Sequence, residues 1–120
     1  WTETLQLGVA GAVVDFGTAV IIQRSFTAPT GMKGKVMGVA VYRNAETFTA
    51  GASIDVGTSA DQDLYYVGGA IATGTSPTHP EGTHRSYIPG GSTFLVTMNP
   101  TTNTPTGQSA ASITIAWYEE

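Results

Sequence analysis

Two stretches decide the fold class: residues 35–43, KVMGVAVYR, and residues 109–118, SAASITIAWY. In the second, Ile113, Ile115 and Trp117 recur at every other position, with Thr114 and Ala116 between them. That is the spacing of a strand with one buried face, because successive side chains of an extended backbone point to opposite sides. In the first, Val36, Val39 and Val41 supply β-branching, which suits a pleated surface and loses rotamer freedom in a helix. Gly38 interrupts the run and predicts a bulge or a close backbone approach.

The flanking sequence repeats the theme. Thr93–Met98 puts Phe94 and Val96 on one face, and Thr2–Val9 alternates weakly through Leu5 and Leu7. Residues 19–26, AVIIQRSF, are apolar and β-branched, which predicts a strand buried on both faces. Short extended runs are expected at 13–16, 46–56 and 86–89. Residues 63–71, DLYYVGGAI, are open between a strand and a short helix, and the Gly68-Gly69 pair argues against a long one. Turn residues punctuate the chain at Ala28-Pro29-Thr30-Gly31, at 57–61, at Pro89-Gly90-Gly91 and at 99–107, with a Pro/Gly surface loop over 73–82. Seven to nine short strands at this spacing are the pattern of an antiparallel sandwich, jelly roll or barrel.

Composition narrows the function. The chain has 120 residues, which is one domain, 1–120, with no linker dividing it. Charged residues are 12 %, against a typical ~25 %, and the difference is made up by Thr, Ser and Gly. Net charge is −4, and five basic residues scattered from Arg24 to Arg85 form no basic patch, so no nucleic-acid partner is expected. No apolar run approaches the ~20 residues of a membrane span, so no membrane partner is expected either. With no cysteine, thiolate chemistry and disulfides are excluded.

Candidate chemistry is sparse. Asp55, Asp61 and Asp63 lie around a Gly-rich turn, and clustered carboxylates can ligate calcium. The spacing of a helix–loop–helix calcium site and its bidentate Glu are absent. Asp61 and Asp63 therefore read as solvated turn residues, with Asp61 capping a short helix. His79 and His84, with Glu81 between, sit at i, i+5 beside a proline rather than at the i, i+4 spacing of helical metal ligands, and read as loop histidines. Gly90-Gly91-Ser92 is not a nucleophile elbow. Gly31–Lys35 lacks the phosphate-cradling spacing and reads as a hairpin turn with two exposed lysines. Tyr42, Tyr65, Tyr66, Tyr87, Trp117 and Tyr118 offer a sugar-stacking face, but Trp117 shares its face with Ile113 and Ile115 and reads as core. If they sit on a strand, Tyr65 and Tyr66 point to opposite faces, so at most one joins a platform. No catalytic residue, cofactor or metal is expected.

Three stretches taken in order carry a resemblance: GMKGKVMGVAVY (31–42), IDVGTSADQDLYY (54–66), and 88–117 with IPGGSTFLVTM, TPTGQ and SITIAW. They resemble the small jelly-roll-like virion structural proteins of tailed bacteriophages, over about two-thirds of the chain. The resemblance implies a jelly-roll-like β-sandwich on the capsid surface of the virion. Such a domain decorates or cements the head by binding the major capsid protein and copies of itself, a trimer before other closed states. It carries no catalytic residues to transfer. A carbohydrate- or receptor-binding module of a fibre or tail is the alternative. Under the first reading, residues 1–9 form an arm or an edge strand. Trp1, Leu5 and Leu7 are then candidate subunit or capsid contacts, unless they pair as a first strand in the chain's own sheet.

Overall fold

The computed structural model describes residues 1–7, 14–15, 22–43, 53–69, 80–99 and 108–120. Among the described residues nine strands run in the order β1 (Thr2–Gln6), β2 (Val14–Asp15), β3 (Ile22–Thr27), β4 (Met32–Arg43), β5 (Ser53–Gly57), β6 (Tyr66–Gly68), β7 (Gly82–His84), β8 (Thr93–Asn99) and β9 (Gln108–Glu119). They form two antiparallel sheets, and the described residues contain no helix. In the first sheet β9 is central: β4 runs along one side, while β1 and β2 lie end to end along the other. The second has the order β3-β8-β5-β6-β7.

The pairings nest. The first strands pair with the last, β1 and β2 with β9. Then β3 pairs with β8, β4 with Ile88 just beyond β7, and β5 with β6. A long hairpin wound on itself in this order is a jelly roll, so the chain is an all-β sandwich with that winding. The inward faces meet in one core: Val36, Val39, Val41, Ile113, Ile115 and Trp117 from the first sheet, and Ile54, Val56, Phe94, Val96 and Met98 from the second. The rings of Phe94 and Trp117 meet across it, centroids 6.3 Å apart.

Long β-branched runs form β4 and β9, and their register slips by one residue between Val36 and Gly38, the bulge expected at Gly38. Gly31 (φ +79°) and Gly91 (φ +73°) occupy the left-handed position of two turns closed by Met32 N–H to Pro29 O and Ser92 N–H to Pro89 O.

Four expectations are corrected. Gly31–Lys35 is not a hairpin turn, because β3 and β4 lie in different sheets and the turn is an arch between them. Its two lysines are half-buried along β4. β3 is not buried on both faces: it is an edge strand, and Gln23, Ser25 and Thr27 are exposed. Tyr65 and Tyr66 do not split between faces. Tyr65 lies in the bend before β6, where strand alternation does not hold, and both rings are buried.

Candidate functional site

The N-terminus pairs within its own sheet. Trp117 N–H donates to Trp1 O at 2.8 Å, and Leu7 N–H to Ala111 O at 2.9 Å. Of the three candidate contact residues, Leu7 is fully buried in the core and Leu5 packs half-buried against it. Leu7 therefore has no surface to offer another subunit. Its carbonyl is also held by Arg24 Nε at 2.9 Å. Trp1 is 65 % exposed, resting on Trp117 with centroids 6.3 Å apart.

A separate pair of exposed aromatics is formed by Tyr87 and Tyr118. Tyr118, next to the residue that Trp1 covers, is 45 % exposed, and Tyr87 is 43 % exposed. Their rings stand at 87° with centroids 6.3 Å apart. Lys33 Nζ lies 4.6 Å from the Tyr87 centroid, a cation–π contact, and His84 meets the same ring edge-on at 5.2 Å. Perpendicular rings do not make the flat platform on which a sugar stacks. Tyr65, Tyr66 and Trp117 are in the core, and the Tyr42 side chain lies outside the described residues.

The three aspartates separate in role. Asp55 accepts Gly68 N–H and the Asn99 amide, each at 2.8 Å, and so ties β5 to β6 and β8. Asp61 closes its turn by accepting Asp63 N–H at 3.4 Å, with no helix to cap. Asp63 pairs with Arg85 at 3.3 Å. The hydrogen bond from neighbouring Asp61, more than burial, raises the Asp63 pKa above the ordinary carboxylate value. Among the described residues no group of three His, Asp or Glu side chains is arranged to hold a metal ion. His79 lies outside them.

A groove of about 730 Å³ opens on the flank where β4 and β7 face each other, lined by Lys35, Met37, Val39, Tyr66, Glu81 and His84 among others. His84 Nδ1 is sealed there without a hydrogen-bond partner. Burial first, and then the charge of Lys35, holds the His84 pKa below the ordinary imidazole value. Burial, and then Asp55, raises that of Tyr66, the cross-strand partner of His84. Because the folded-state pKa of His84 is depressed, the unfolded chain binds its proton more readily. The His84 contribution to stability is full above the unfolded value, ~6.5, and is lost as pH falls from there through the folded value. Thermal unfolding should therefore show a lower midpoint at pH 5.5 than at pH 8. His84→Gln should flatten that dependence, and an unchanged slope in the variant would refute it.

No protein-family model matches the chain, and no curated protein matches it.

Ser92, beside the glycine pair, donates its hydroxyl to Pro89 O at 2.6 Å, and Ser86 donates to Leu64 O at 2.9 Å, so both are committed to backbone carbonyls. Composition had pointed to the aromatics but not to their places. The pairing of Trp1 with Trp117, 116 residues apart, seats the exposed Trp1 ring on a core tryptophan, and no local signal announces it.

Proposed function

We propose that this chain is a non-enzymatic virion structural protein of a tailed phage, a decoration protein that binds the head lattice and stabilises the shell. One observation carries the reading: the exposed aromatic pair Tyr87 and Tyr118, with Lys33 against it, on an otherwise charge-poor sandwich. Exposed aromatics with a neighbouring cation are the composition of protein contact surfaces, whose centres are rich in Tyr and Trp and poor in charge. Buried at a junction between capsid subunits, such a patch would oppose separation of those subunits.

The test is cosedimentation of the purified chain with expanded shells assembled from the major capsid protein of the encoding phage. Saturable binding at a fixed number of copies per capsomer is expected. The double variant Tyr87→Ala/Tyr118→Ala should weaken it by about tenfold to thirtyfold, the range for losing a central aromatic contact. Absence of pelleting above a shell-free control overturns the reading. Binding instead to a glycan array, lost in the same variant, would establish a receptor-binding module.

A further inference from the structure

We propose that the free edge of β1 is a self-pairing surface, on which two copies of this chain join β1 to β1, antiparallel, about a two-fold axis at Thr4. The parity of the ladder sets which main-chain groups are free. Trp1 exchanges hydrogen bonds with Trp117, and Leu7 donates to Ala111, so Trp1, Glu3 and Leu5 spend their main-chain groups on β9, as does the N–H of Leu7. Thr2, Thr4 and Gln6 then turn their N–H and C=O groups away from β9. Among the described residues these groups meet no other main-chain partner.

The other sheet edges are guarded, each by a recognisable device against strand addition. On β3, the Arg24 guanidinium covers Gln23 O at 3.2 Å and reaches across to Leu7 O. On β4, Gly34 is taken by Ile88, the bulge follows at Val36/Gly38, and Lys33 and Lys35 flank the edge. β7 is three residues long between Glu81 and Arg85. β1 has no proline, no lysine and no bulge. Its one charge, Glu3, is drawn inward to accept Trp117 Nε1–H at 3.2 Å, which removes it from the edge.

The residues of β1 favour a second copy as the occupant. With the axis at Thr4, Thr2 stands opposite Gln6 of the second copy and Thr4 opposite Thr4. On the other face Glu3 stands opposite Leu5, so no like charges meet. The pairing supplies roughly six main-chain hydrogen bonds, two from each exchanging pair. It also covers the part of Leu5 left open in the single chain. The sheet becomes continuous through both molecules, and a two-fold contact closes at two copies. This goes beyond the virion reading and does not rest on it.

Light scattering on the chain alone, at roughly 100 µM so that contacts of micromolar affinity are populated, tests it with two variants. Thr4→Pro removes only a donor that faces away from β9, a position where an edge strand accommodates proline. Thr4→Lys opposes two like charges at the axis. The unsubstituted chain should scatter with twice the 12.4 kDa of one chain. Both variants should scatter as single chains with unchanged circular dichroism; should Thr4→Pro fail to fold, Thr4→Lys decides. A one-chain or three-chain mass for the unsubstituted protein overturns the proposal, as does a two-chain mass that persists in Thr4→Lys.

Discussion

Trp117→Ala should destabilise the chain by about 3–5 kcal/mol, the range for emptying a core position of a large aromatic. Trp117 is the joint between the sheets. Its ring is 2 % exposed, meets Phe94 across the core and Trp1 at the rim, and donates Nε1–H to Glu3. Truncation loses the packing on both sides and leaves Glu3 without its donor. A domain of this size holds only about 5–15 kcal/mol in total. With an unfolding entropy of ~2.1 cal/mol/K per residue, the expected fall in midpoint is about 12–20 °C by calorimetry. A loss under about 1.5 kcal/mol would mean that the ring is not the core element described, and Trp117→Phe should fall between the two.

Gly34→Ala should be destabilising by about 1–3 kcal/mol, although alanine normally improves on glycine within a strand. Gly34 lies against the face of Trp117. A Cβ there would stand 2.5 Å from Cζ3 and 2.9 Å from Cε3. The ring cannot step aside, because Glu3 and Phe94 hold it and the Gly34 backbone is itself bonded to Ile88 in both directions. The diagnostic result is the pair of substitutions made together. In a Trp117→Ala background the clash is gone, and Gly34→Ala should become neutral or stabilising. Denaturant unfolding of the four proteins of this cycle should therefore give a coupling of at least about 1 kcal/mol. Additive losses would show that the two residues do not touch.

The elements legible in the sequence were those whose signal is local. The alternation Ile113, Ile115, Trp117 named the buried face of β9, and Gly38 marked the bulge in β4. Positive-φ glycines marked two turns. What a turn connects was not legible, since an arch between sheets and a hairpin within one use the same residues. Residues 19–26 look like a central strand because they are apolar, but the described strand, β3, lies at an edge, a property of the neighbours and not of the segment. The candidate surfaces depend on long-range pairing for the same reason. Asp55 looked like a metal ligand until its partners proved to be Gly68 and Asn99, 13 and 44 residues away. Leu7 looked like a contact residue until β9 drew it inside.

The placement of β9 has a consequence for how the protein is made. Among the described residues of the first sheet, β1 and β2 pair with β9, and β4 has only β9 and the single bridge at Ile88. β9 is also the strand that leaves the ribosome after all the others. At ~5–20 residues per second, the strands that await it spend roughly 4–23 s without their partner. A nascent chain cut short before residue 108 has no middle to its sheet and cannot be rescued by what precedes it. Translation must run through β9 before any copy is competent to fold, so incomplete products are left to proteolysis.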